Sequence, residues 1–260
     1  MIAEHLQDPE VESSWCGYDL DFSGAVFDGG SFAGSHFVGG SISFAGCRFV
    51  DGKFLFDRST LEDVHVDFGD GESVPAVFDG GMVHFIGAHF KVGAHLTFIF
   101  TEFNSGALEF GTSEFLPGSV ISFSACHLAD AFVSFGGPVW RGANFLGGSV
   151  SFAGAEFKSG SLSFMGASFS GSHVSLDDIT QTGTAIIFDD ASFGSGKVTF
   201  KNAKLSSGEI SFGLDADPAA VVSPWPLPRP PRRQGRAARR LYGWVPRPGA
   251  VRTAGGSHPD

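Results

Sequence analysis

Cysteine, methionine and tyrosine are scarce. The 260-residue chain has 3 Cys, 3 Met and 2 Tyr. Cys16, Cys47 and Cys126 cannot all pair with one another and form no CxxC. A disulfide scaffold is therefore not expected, and a reducing compartment is. No run of 18 apolar residues occurs, so no transmembrane segment is expected. The N-terminus, MIAEHLQDPEVESS, is acidic and lacks the basic and apolar blocks of a signal peptide, which makes the cytoplasm the expected location. A phosphate-cradling Gly-x-x-x-x-Gly-Lys-Ser/Thr is missing, as is an HxxxH zinc pattern.

Basic residues are also scarce outside the end of the chain. Residues 17–215 hold 22 acids against 9 Lys and Arg, a net −13. Residues 216–260 hold 8 Arg against Asp217 and Asp260, a net +6. An acidic body is thus joined to a basic tail. The tail carries nine of the 13 Pro and no Phe, so residues 216–260 are expected to be disordered. Its arginines could separately meet nucleic acid or an anionic surface, whereas direct nucleic-acid binding by the acidic body is not expected.

Phe and Gly are what the sequence has in excess, 29 and 37 residues respectively. Phe22, Phe27, Phe32 and Phe37 are five apart, and from there steps of seven and five alternate through Phe44, Phe49, Phe56, Leu61 and Phe68. A ten-residue step containing GDGES leads to Phe78, and the beat then continues to Phe212, with one doubled five at Trp140. Of the 29 Phe, 26 fall on this register. Two residues before each register position stands a small residue in the five-steps (Ala25, Ala88, Ala155) and mostly an aliphatic one in the seven-steps (Ile42, Val66, Leu162). Alternation along a strand places both on the same side. Each step is then one short strand with two inward side chains, and four successive steps of five, seven, five and seven close one coil.

Such coils predict an all-β, four-sided parallel β-helix over residues 17–215, stacked at about 4.8 Å per coil into a rod of roughly 40 Å. Residues 1–16 are expected to cap its first coil or to be flexible, because an open solenoid end invites stacking by other molecules. The segment YDLDFSGAVFDGGSFAGSHF, with strict fives and small residues at the second inward position, resembles the bacterial pentapeptide-repeat proteins. The resemblance covers roughly residues 18–215 and implies a right-handed solenoid. The seven-residue steps depart from the family pattern.

Most candidate chemistry is absorbed by the repeat. Cys47 and Cys126 fill the small inward slot and read as buried thiols, while Cys16 precedes the repeat and has no assigned role. Asp177-Asp178 and Asp189-Asp190 lie half a coil apart and are expected at opposite corners, with Lys201 as surface partner of Asp177. His84 and His89 each precede an inward Phe and are expected to point outward, with His95 nearby. Asp67, Asp70 and Glu72 surround an insertion without the spacing of a calcium loop. No catalytic, cofactor-binding or metal residue is expected, and no cofactor.

The function expected is a non-enzymatic protein-interaction module with an unknown protein partner, Phe100 and Phe132 being outward aromatics and candidate contacts. A homodimer is compatible with this. The alternative comes from the resemblance: some family members imitate duplex DNA and bind a topoisomerase such as gyrase. Duplex DNA carries one charge per ~1.7 Å, against about one net charge per 3 Å along this rod at the coil spacing. A third option, a flat hydroxyl array, draws on the outward pairs Ser41/Ser43, Ser149/Ser151 and Ser161/Ser163.

Overall fold

A computed structural model describes residues 2–139 and 141–213, and the strand Val221–Val222. Apart from one 3-10 turn, Ala3–Leu6, the described elements are strands, and every pairing between them is parallel. They stack into four walls. The first wall carries Leu20–Asp21, Ser41–Ser43, His65–Gly69, His95–Phe98, Val120–Ser122, Ser149–Ser151, His173–Ser175, Lys197–Thr199 and Val221–Val222 in one nine-stranded sheet. Two-residue strands such as His127–Leu128 and Glu156–Phe157 form the second wall, and three-residue strands such as Phe132–Ser134 and Ser161–Ser163 form the third. Two long strands, Val77–His84 and Glu102–Glu109, run round the corner between these walls and join them into a 14-stranded sheet. The fourth wall holds seven strands, from His36–Val38 to Ser192–Phe193. On the first wall one full coil of two five-steps and two seven-steps separates Ile42 from Val66, Val150 from Val174, and Val174 from Val198, each pair lying side by side.

The Phe register is the core. Phe44, Phe68, Phe98, Phe123 and Phe152 stack inside the first wall with ring centroids 4.6–4.7 Å apart. Phe85, Phe110, Phe135, Phe164, Phe188 and Phe212 stack inside the third at 4.8–5.1 Å. Phe90, Phe115, Phe145 and Phe169 do so inside the fourth at 4.7–4.8 Å. Near-parallel rings one coil apart follow from identical side chains meeting at the strand spacing. Full burial of each is worth about 1.5–3 kcal/mol.

Two excursions interrupt the walls, and both are pinched at the neck. Ala76 N donates to Phe68 O at 2.6 Å, which sets residues 70–75 off the wall, and Ala143 N donates to Phe135 O at 2.6 Å, which does the same for residues 136–139 and 141–142. The ten-residue step from Phe135 to Phe145 is therefore built like that from Phe68 to Phe78. A doubled five is not needed, because Ala143 is the fully buried small residue that precedes Phe145. Trp140, counted on the register from sequence, lies outside the described residues.

At the start of the rod, Leu6 is buried and His5 stacks on Trp15 at 4.5 Å. Gln7 Nε2 donates to Ala33 O, and Cys16 Sγ to His36 O, so residues 3–16 are tied to the first coil. The expected disorder of residues 216–260 concerns residues outside those described, apart from the backbone of Val221–Val222. No helix among the described residues is long and apolar enough to cross a membrane.

Candidate partner-binding corner

The corner between the first and second walls repeats one backbone device. Two residues after each register position the chain takes a left-handed conformation: Gly24, Gly46, Phe100, Ala125, Gly154, Asp178 and Asn202 all have φ between 54° and 74°. The N–H groups of the first six donate along the rod to the next coil, as in Gly46 N to Val74 O, Phe100 N to Ser124 O and Ala125 N to Ala153 O. Gly, Asn and Asp accept this conformation most readily, and a bulky side chain there is an outlier. Phe100, at φ 59°, is the bulky one, and it is 49% exposed.

One coil earlier the same corner is made by the excursion 70–75, which leaves Val74 72% exposed. A Cβ on Gly71 would lie 3.8 Å from the Phe100 ring and 3.5 Å from Ile99 Cγ2, and one on Gly46 would lie 3.6 Å from Val74 Cγ1. The excursion thus runs alongside an apolar crest. Its own shape is held by Asp70 Oδ1, which accepts from Glu72 N, Ser73 N and Ser73 Oγ at 2.7–2.9 Å. Those hydrogen bonds, that of Ser73 N first, hold the Asp70 carboxyl down at about 2.

Phe132, the other outward aromatic, lies elsewhere. It stands on the third wall between Ala107 and Ser161, half-buried, and does not meet Phe100. Ser41/Ser43 and Ser149/Ser151 share the first wall, whereas Ser161/Ser163 is on the third, so the three hydroxyl pairs form no common array.

The remaining candidates are spread around the rod. Cys47 Sγ donates to Phe22 O, and burial raises the thiol pKa of both Cys47 and Cys126. Asp177-Asp178 and Asp189-Asp190 occupy opposite corners. Asp177 is bonded by the backbone N of Lys201 at 2.8 Å, and Asp178 by Asn202 Nδ2 at 3.1 Å. His89 is exposed and bonds Glu114 at 3.1 Å, and His95 faces His65 on the first wall. His84 is on the outward side of its strand, but it is buried rather than solvated, being covered by its neighbours on adjacent coils. Sequence alternation places a side chain in or out and does not report what stands one coil away. Among the described residues no three His, Cys, Asp or Glu side chains converge on one point.

Gln181 is a core residue that the Phe count passes over. It occupies the inward register position above Phe157, 2% exposed, with Nε2 donating to the carbonyls of Thr184 and Glu209. Its five-residue distance from Leu176 was the available signal.

No protein-family model and no curated protein matches the sequence. Among solved structures the chain is similar to QnrB1, described as a plasmid-mediated fluoroquinolone resistance protein, at 17% identity over 79% of this chain and 88% of that one, with a TM-score of 0.30. It is also similar to HetL, a pentapeptide-repeat protein involved in heterocyst differentiation regulation from the cyanobacterium Nostoc, at 14% identity over 74% of this chain and 87% of that one, with a TM-score of 0.19. The fold assignment rests on the ring ladders and the parallel register. The chain is a β-solenoid of pentapeptide-like steps.

Proposed function

We propose that the chain is a non-enzymatic interaction scaffold that binds a protein partner through its outer surface. The observation that carries this reading is Phe100. A left-handed conformation costs an ordinary L-residue about 1–2 kcal/mol, and leaving a large aromatic half-exposed recovers little of that through burial. Other coils place Gly, Ala, Asp or Asn at the same corner. A costly, exposed aromatic is what a binding contact needs and what folding alone would remove.

Topoisomerase binding by DNA mimicry is the weaker reading. Its support is the net −13 of residues 17–215. Against it, Asp79 is paired with Arg48 at 2.7 Å, Glu62 with Lys91 at 2.9 Å, and Glu156 with Lys158 and His127. The Asp79 and Glu156 pairs lie on the second wall and the Glu62 pair on the fourth, so cations interrupt the acids and no single acidic stripe forms.

The test is site-specific photo-crosslinking in cells from position 100 and, as control, from Ser168 on the fourth wall. One discrete protein adduct from position 100, absent from the control, is the expected result. No adduct at position 100, or the same adducts at both positions, overturns the proposal. Should the adduct be a gyrase subunit, a supercoiling assay would restore the DNA-mimic reading.

A further inference from the structure

Resting on that reading, we infer that the crest formed by Val74, Ile99 and Phe100 docks a cationic peptide segment, one in which Lys or Arg flanks a bulky apolar anchor. The crest is apolar over two successive coils of one corner, with Val74 and Phe100 its most exposed members. Beyond it, the next two coils of the corner present only the small Ala125 and Gly154, so an extended segment can lie along the corner without obstruction.

The rim of this crest is acidic in excess, with Arg48 on the neighbouring strand of the second wall paired to Asp79. Residues 65–81 contain Asp67, Asp70, Glu72 and Asp79 with no Lys or Arg, and residues 96–105 add Glu102, again without a cation. Asp79 is already bonded to Arg48, and Asp67 accepts from Gly69 N and Thr97 Oγ1. Asp70, Glu72 and Glu102 are exposed and form no ion pair among the described residues. An apolar anchor seated on Phe100 brings its flanking residues within reach of these three carboxylates. Lys or Arg there is attracted, and Asp or Glu is repelled. Apolar burial then supplies affinity while the rim sets the sign of the partner.

The chain also supplies its own control substitution. Asn202 occupies the equivalent corner position at φ 58°, so Phe100→Asn keeps the backbone, relieves strain and removes the anchor.

The experiment uses the full-length protein and three synthetic peptides followed by fluorescence anisotropy. One has a Leu-Trp core flanked by Lys and Arg, a second has Glu in place of each cation, and a third has Ser in place of Leu and Trp. The first peptide is expected to bind, to weaken about tenfold or more with Phe100→Asn, and to weaken with Glu102→Gln and with added salt. The second and third are expected not to bind. The melting temperature of Phe100→Asn is expected to hold or to rise by about 2–4 °C, which separates lost contact from lost fold. Binding of the cationic peptide that Phe100→Asn leaves unchanged would mean diffuse attraction to the acidic rod and would overturn the inference, as would no binding or equal binding of the Glu peptide. A crosslink at position 100 combined with any of these failures would leave the scaffold reading standing and remove only the partner chemistry.

Discussion

On the third wall, Leu55 and Glu109 stand directly beside His84 on the coils before and after it, so the imidazole is covered although its strand points it outward. Its Nε2 has no hydrogen bond, and Glu109 Oε2 is 3.7 Å away. Burial pulls the His84 pKa below its ordinary value; the charges of Glu109 and Asp57 oppose this, and Lys53 adds to it. The sign for stability follows. The unfolded chain takes up a proton near pH 6.5 while the folded chain resists it, so stability is retained above that pH and is lost as the pH falls towards the folded value. The expected result is a melting temperature that drops between about pH 7 and pH 5, with a shallower drop for His84→Leu. Parallel profiles for the two proteins would show that His84 does not contribute.

The element scale is where sequence and structure meet most closely, because a two-residue strand has little freedom beyond which side faces in. The inward pairs were legible from alternation alone: Ala155 with Phe157, and Leu162 with Phe164, are all fully buried. What alternation could not supply is which inward residues face one another across coils. Gly30 and Phe54 illustrate this. Gly30 occupies the inward slot opposite Phe54, which fills the place that Ile42 or Leu162 takes in other seven-steps. A Cβ on Gly30 would stand 2.6 Å from the Phe54 ring, closer than any real contact. The two are a whole coil apart in sequence, and their pairing becomes visible only when the register is followed all the way round. Gly30→Ala is accordingly expected to destabilise by about 1–3 kcal/mol. Phe54→Leu in the same chain is expected to recover part of that loss, a coupling that urea denaturation of the two single variants and the double variant would measure. Additive effects would mean that the two residues do not meet. The ten-residue step from Phe135 to Phe145 hides its loop for a related reason. A ten-residue step divides evenly into fives on paper, and only the hydrogen bond from Ala143 N to Phe135 O reveals a loop instead.

At the scale of the whole rod, the interior and the exterior have different periods. Seven-step walls alternate with five-step walls, so the core repeats every half coil, whereas the surface repeats only when a full coil has passed. The candidate site belongs to the second period. Phe100 and the excursion 70–75 mark one corner of one coil pair, and nothing in the Phe beat distinguishes that corner from the opposite one. This is why the fold was legible in the sequence and the site was not, beyond the outward placement of Phe100. The difference can be tested by deletion. Removing residues 149–172 takes out one coil, with Val174 replacing Val150 beside Ile121. Removing residues 149–160 takes out half a coil and turns everything downstream by two walls, yet Leu162 still meets Ile121, and Phe164 meets Phe123. Both deletions are expected to fold, with β-type circular dichroism and a cooperative urea transition; the first should lower the m-value by roughly an eighth, since m follows the surface exposed on unfolding. Removing residues 159–165 instead takes out a single seven-step wall, setting every later five-step against a seven-step. That variant is expected not to fold. If the half-coil deletion fails as completely as the single-wall one, the interior does not have the shorter period, and the identity of each wall is held by contacts other than the Phe ladders.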